Sequence, residues 1–478
     1  MAVTQVCNRW RRVAYRATEL WTTISLENKE WASVSLQQSK PSPLSIHWPM
    51  EDREPDEQPD IEALRLVLEE LPRIQELVLT AQPRELYKDA SYIDITNQLL
   101  ARCPAPNLKT LHLGTSPPPL FLHDIFCGEA PSSLHTLTLG TCQLRPSSCL
   151  FHNGLRELEL DICEVWDSYE DLQETLARMP QLETLHILAF TLPEAHDSLA
   201  PAGPAVHLPK LEKLALVGDT FQIAKALRAF TFPNNMAELT VLYLHNEVVV
   251  EPDTVAAPLE EHLTAALEAG DTYEMLTIDE NMDVEALVTI TLSDPHAASG
   301  NPQLPEEMVL SLQWPSPAES MDLAWDLLRG SPLLSGLRAV EAESFMLIDR
   351  DRWVALNAFG GAVDDILVRG NAGHGLVLAL EAAAVGEDVL FPALNTLTIE
   401  RVNFEEVKGE SGVAFQALLL ADLNARRERG ASIALSVKEC NVTEAVITEL
   451  RGIMGVDAVD WDGDIIGNAR AYMNEDWW

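Results

Sequence analysis

Basic residues are scarce in this chain: 33 lysines and arginines stand against 74 aspartates and glutamates in 478 residues, a net charge of −41. A field of that sign repels polyanions, which argues against nucleic acid or an anionic membrane as the main partner. A basic protein partner is compatible with it, and so is plain solubility of a large surface. Long apolar runs are missing as well. No stretch approaches eighteen uninterrupted apolar residues, so no spanning helix is expected, and charges stand where a secretory leader needs an apolar run. Cysteine is sparse and odd in number, seven spread over the chain, with no Cys-x-x-Cys pair and no Cys/His zinc spacing. Free thiols in a reducing compartment follow, and the protein reads as cytoplasmic or nuclear.

Catalytic signatures are equally thin. There is no Gly-x-Ser-x-Gly, no His-Glu-x-x-His and no clustered Ser/His/Asp arrangement. Asp460-Trp461-Asp462-Gly463-Asp464 starts like a calcium loop but lacks the later bidentate Glu, so it reads as an acidic turn. Gly370-Asn371-Ala372-Gly373-His374-Gly375 has no Lys-Ser/Thr and the wrong order for a dinucleotide loop. It reads as a turn between a strand and a helix over Leu376 to Ala384. Asn441-Val442-Thr443 is a glycosylation sequon by letters alone. Carboxylate pairs are everywhere in so acidic a chain, so none signals acid–base work. The expectation is a protein without catalytic residues, cofactor or metal.

What is present is a repeat. Leu108-Lys109-Thr110-Leu111-His112-Leu113 returns as Leu134…Leu139, Leu155…Leu160, Leu182…Ile187, Leu211…Leu216 and Leu239…Leu244, with an earlier copy at Ile74…Leu79 and a late one at Leu394…Ile399. First leucines from Leu108 to Leu239 recur at the ~20–29-residue period of leucine-rich repeats, whose core is L-x-x-L-x-L. One unit cannot bury its leucines alone, so neighbours must stack. The expected fold is therefore an α/β solenoid. It is an irregular leucine-rich-repeat horseshoe, with a parallel sheet on the concave face and helices and loops on the convex face. Its clearest part is 71–245. Weaker copies are read at Tyr273-Leu276-Ile278, Glu307-Leu310-Leu312, Val363-Ile366-Val368 and Ser432-Leu435-Val437, with a terminal strand at Val456-Val459-Trp461. Helices are expected over Ile61 to Leu71, Ala256 to Ala269, Met321 to Leu328 and Phe415 to Arg427. The Asn that ends many such repeats is mostly missing.

Ahead of the repeats, Val6, Trp10, Val13 and Ala14 lie at helical spacing opposite Arg9, Arg11, Arg12 and Arg16. Leu20-Trp21 and the alternating Ile24 and Leu26 follow. Val6, Cys7, Arg9, Trp10, Arg11, Ala14, Leu20 and Trp21 resemble the second half of an F-box, in the style of the mushroom-type F-box proteins. The family's opening half, a Leu-Pro-x-Glu start and two helices, belongs ahead of Met1. On this reading residues 1–26 are a partial F-box-like helical segment and 27–478 the repeat domain. The resemblance implies a Skp-type adaptor as partner, with Val6, Cys7, Trp10, Leu20 and Trp21 as adaptor contacts or as a cap on the first repeat.

His112, Glu159, His186 and Tyr243 occupy one column of the repeat, between strand leucines, and are the concave-face candidates. Three strand steps of ~4.8 Å separate His112 from His186, too far for a shared metal. Two functions follow: a non-catalytic receptor that presents a protein substrate to a cullin-type ubiquitin ligase, or a leucine-rich-repeat interaction scaffold that has lost adaptor binding.

Overall fold

The structure, a computed structural model, describes residues 12–48, 60–80, 90–114, 119–190, 204–231, 233, 237–243, 273–281, 287–293, 307–313, 322, 325, 334, 336–344, 348–359, 362–385, 390–406 and 413–463. It is a mixed α/β architecture with a large parallel sheet, divided into two compact units: Met1–Pro233 with Leu244–Val250, and Asn234–Tyr243 with Glu251–Trp478.

The sheet of the first unit runs β1 (Thr23–Ile24), β2 (Leu44–Trp48), β3 (Ile74–Thr80), β4 (Thr110–Gly114), β5 (Thr136–Gly140), β6 (Glu157–Asp161), β7 (Thr184–Phe190) and β8 (Lys213–Gly218). These pair in that order, all parallel. Strand alternation places one leucine column at Leu77, Leu111, Leu137, Leu158, Leu185 and Leu214, and a second at Leu79, Leu113, Leu139, Leu160, Ile187 and Leu216. Every member is buried. The repeat's spacing and the strand period of two thus agree on which face is core.

Helices α1 (Lys29–Ser39), α2 (Ile61–Leu68), α3 (Ala90–Leu100), α4 (Tyr169–Ala177) and α5 (Thr220–Ala229) lie in the connections. Four start on short polar caps: the side chains of Asn28, Asp60, Ser168 and Asp219 accept backbone N–H bonds from the first turn. Thr23 and Ile24 pair with Ser45 and Ile46, which brings the strand ahead of residue 26 onto the sheet that follows it.

Strand exits repeat as faithfully as the leucines. Thr141, Ile162 and Ala189 in the first unit, and Arg401 and Glu439 in the second, all take positive φ of 50–56°. Cysteines follow three of these residues. Cys142 Sγ donates to Gly140 O, Cys163 Sγ to Leu139 O and Asp161 O, and Cys440 Sγ to Ile399 O and Lys438 O, at 3.1–3.4 Å. Thiols therefore bind the strand-end carbonyls at the place where an Asn was sought.

The second unit holds β9 (Glu238–Tyr243), β10 (Met275–Asn281), β11 (Leu287–Ser293), β12 (Glu307–Gln313), β13 (Ala339–Ser344), β14 (Asp365–Gly370), β15 (Thr396–Glu400), β16 (Ala434–Lys438) and β17 (Val459–Trp461). Its spatial order is β9-β12-β11-β10-β13-β14-β15-β16-β17. The all-parallel expectation fails here, because β11 is antiparallel to both β10 and β12. The connection 282–286 has five residues, and a parallel return needs a dozen or more. Val288, Ile290 and Leu292 bury one face of this strand, which the repeat pattern did not contain. β13 also escaped it. In β9 the buried pair is Leu239 and Val241, so the repeat frame assumed at Leu242 is displaced, while Leu244 lies outside the described residues.

Helices α6 (Arg350–Phe359), α7 (Ala372–Val385), α8 (Phe415–Glu428) and α9 (Glu444–Met454) belong to the second unit. Asp322 and Trp325 are helical within the expected Met321 to Leu328, while Ala256 to Ala269 lies outside the described residues. Among the described residues no helix is long and apolar enough to cross a membrane.

Candidate functional site

The face opposite the leucine columns of the first sheet carries its polar side chains in rows. One row is His47, Val78, His112, Thr138, Glu159, His186 and Ala215. It therefore holds three of the four expected positions, His112, Glu159 and His186. Tyr243 does not continue it: that residue closes β9, in the sheet of the second unit.

His112 is half-buried, and burial pushes its imidazole below the ordinary value against the pull of the Glu159 and Glu76 carboxylates. The Nε2 atoms of His112 and His186 are shielded from solvent without a hydrogen-bond partner among the described residues. Nor does any group of three or more His, Cys, Asp or Glu in the described residues form a metal cage.

A cluster that the repeat reading passed over starts this face. Glu76 Oε2 lies 3.0 Å from His47 Nε2 and also accepts the Ser45 hydroxyl. Ser45 Oγ is itself 3.1 Å from His47 Nε2. The Ser45 hydroxyl first, and the His47 ring after it, hold the Glu76 carboxyl below the usual range although partial burial opposes them. A serine, a histidine and a carboxylate in contact suggest a relay, but the geometry refuses one. Hydroxyl and carboxylate both meet the same ring nitrogen, whereas activation of a nucleophile uses the two nitrogens for the two partners. Beside the cluster lies an open groove of about 630 Å³ lined by Glu19, Ser45, Glu76, Lys109, Thr110 and His135, among others. Strand alternation, applied to Leu44–Trp48 and Ile74–Thr80 as it was to the later copies, is the signal that identifies Ser45, His47 and Glu76.

Of the N-terminal candidates, Val6, Cys7 and Trp10 lie outside the described residues. Trp21 is 1% exposed, donates from Nε1 to Ala14 O at 2.7 Å and stacks on Tyr15 with ring centroids 5.4 Å apart. Leu20 faces the other way and is 56% exposed. Val13, Tyr15 and Trp31 are exposed with it, which concentrates large apolar side chains on the start of the first unit.

No family model matches this chain, and no curated protein does.

The second sheet carries an ion row. Glu343, Arg369, Glu400 and Lys438 are in register on β13 to β16. Arg369 reaches Glu400 at 2.8 Å, Glu343 at 3.7 Å and Glu341, while Arg401 pairs with Glu343 at 3.0 Å and Lys438 with Glu400 at 3.3 Å. Each charge is answered within the row, so it stiffens the sheet more than it offers a vacant site.

The glycine-rich run is a packing device. Helix α7 already begins at Ala372, earlier than the expected Leu376, so Gly373 and Gly375 sit in its first turn. A Cβ on Gly375 would overlap the Ile348 carbonyl, and one on Gly373 would crowd Val402. Asp462 carboxylate accepts the Glu439 N–H at 2.7 Å, which ties the acidic run to the preceding turn. Asn441 bonds Asn403 Oδ1 at 3.1 Å in the adjoining turn, so the sequon amide serves the stack.

Proposed function

We propose that this chain is a non-catalytic, F-box-like substrate-recognition subunit of a cullin-type ubiquitin ligase. Its irregular leucine-rich-repeat horseshoe holds a protein on the polar sheet face. The observation that carries this reading is the exposed apolar group of Val13, Tyr15, Leu20 and Trp31 at the start of the first unit. Apolar side chains gathered at one end of an otherwise acidic protein are what an adaptor helix would cover. In-register leucine columns, recurrent left-handed strand exits and turn cysteines support the repeat part of the reading. Glu76, Glu157, Glu159 and Asp161 lie across the face, which suits a substrate segment bearing Lys or Arg.

The test is a calorimetric titration of the full chain with a Skp-type adaptor. Leu20→Asp should weaken binding about ten- to a hundredfold, the worth of one buried leucine, without altering far-UV circular dichroism. Failure of the unsubstituted chain to bind would sink the ligase role. The fate of Trp21 favours a second reading, a scaffold without adaptor binding. Its indole is spent on Ala14 and Tyr15 inside the first unit. Under that reading Trp21→Ala destabilises the first unit, and adaptor binding is absent with or without it.

A further inference from the structure

Cys142 and Cys163 leave consecutive strands, β5 and β6, and stand opposite each other. Glu164 N donates to Cys142 O at 2.9 Å and Leu144 N to Glu164 O at 3.0 Å, a parallel bridge that aligns Gln143 with Glu164. The residues just before them, Cys142 and Cys163, are therefore neighbours across a spacing of ~4.8 Å, inside the ~4.4–6.8 Å between Cα atoms that a disulfide spans. Both sulfurs turn to the same side, toward the ends of β5 and β6, where they bond Gly140 O, Leu139 O and Asp161 O. Cys142 is fully buried, while Cys163 is partly exposed.

We propose that Cys142 and Cys163 form an oxidation-sensitive dithiol, a modification site at which hydrogen peroxide converts the pair into a disulfide. The thiolate of Cys163 attacks a peroxide oxygen, the O–O bond breaks, and Cys163 sulfenic acid forms as hydroxide leaves. Cys142 sulfur then displaces the sulfenic oxygen, which departs as water with the Cys142 proton. Peroxide is reduced to two waters and two thiols are oxidised to one S–S bond. Exposure favours this division of labour, because peroxide reaches the partly exposed Cys163 while Cys142 is buried behind it.

Cys440 provides an internal control. It occupies the same turn position, but the aligned neighbour across the Asn403–Asn441 bridge is Val402, so it has no thiol to join.

Full-length protein carrying Cys127→Ser and Cys149→Ser is treated with hydrogen peroxide, its free thiols are blocked with N-ethylmaleimide, and it is digested with trypsin without reductant. Cleavage after Arg156 then leaves Cys142 and Cys163 on separate peptides with no other cysteine. The expected product is those two peptides joined, released by dithiothreitol, while Cys440 remains alkylated. In the Cys142→Ala variant the link disappears and Cys163 is trapped by dimedone as sulfenic acid. Full alkylation of both cysteines after peroxide, or sulfenic acid on Cys163 without a link when Cys142 is present, overturns the proposal.

Discussion

Leu158 and Glu159 are adjacent in β6 yet lie on opposite faces of the first sheet, so truncating each in turn measures the alternation directly. Leu158 is 1% exposed and sits in register between Leu137 and Leu185. Leu158→Ala removes three carbons at roughly 0.8 kcal/mol each, about 2.4 kcal/mol of transfer energy. The unrelaxed cavity adds to this, within the ~2–5 kcal/mol found for buried leucines, so the loss should be about 3 kcal/mol. That is roughly a hundredfold fall in the ratio of folded to unfolded protein. Glu159→Ala should stay within about 0.5 kcal/mol of the parent, as surface changes do. Urea denaturation followed by circular dichroism reads both values. Hydrogen exchange shows whether the Leu158→Ala loss centres on Thr136–Gly140, Glu157–Asp161 and Thr184–Phe190. Equal losses at the two positions, or no loss at Leu158, would refute the assignment of core and exposed faces.

The Glu76 carboxyl is held below its ordinary value of 4.5, so its contacts with Ser45 and His47 contribute fully above that pH and are lost as pH falls through the lower folded value. The urea midpoints of the parent and Glu76→Gln should therefore differ most above pH 4.5 and converge as the pH falls below it; a gap that widens on acidification refutes the sign. Arg426 is 2% exposed, bonds Asp422 at 2.8 Å and donates to the Phe391 and Leu390 carbonyls. Arg426→Ala leaves that acid and those carbonyls buried without it and should cost about 3–5 kcal/mol in urea denaturation, with a loss under about 1 kcal/mol arguing against a buried pair. Gly375→Ala drives a methyl into the Ile348 backbone and should cost about 2 kcal/mol or more, whereas Gly452→Ala, in open space on α9, should be neutral or gain up to about 1 kcal/mol. Thermal melts separate that pair.

The part of the fold legible in the residues was the part built from one short rule. From Ile74 to Leu216 each copy places leucines at the period of a strand, and every such strand is present, parallel and in register. The rule is blind where the chain stops repeating. Leu287–Ser293 alternates Val288, Ile290 and Leu292 as a strand does, but direction is set by the length of the connection and not by the alternation. The candidate face was half visible for a similar reason. His112, Glu159 and His186 follow from repeat position; Glu76 already lay in the copy Ile74…Leu79, and His47 would have followed had β2 been aligned with it. The turn cysteines went unread because a thiol was judged by its reactivity, when in these turns it acts first as a donor to backbone oxygen.

The displaced order of β9 to β12 has a consequence for synthesis. In the first sheet Leu137 waits for Leu158, only 21 residues later, so each new strand meets its neighbour almost as it emerges. Glu238 pairs with Val309, 71 residues downstream, and the meander Met275–Asn281, Leu287–Ser293 and Glu307–Gln313 must be made before that contact exists. At ~5–20 residues per second that is a delay of roughly 4–14 s. A nascent chain released between residues 243 and 307 would carry a complete first sheet beside a strand whose β12 partner has not been made, and this interval is when holdase protection matters most to this protein.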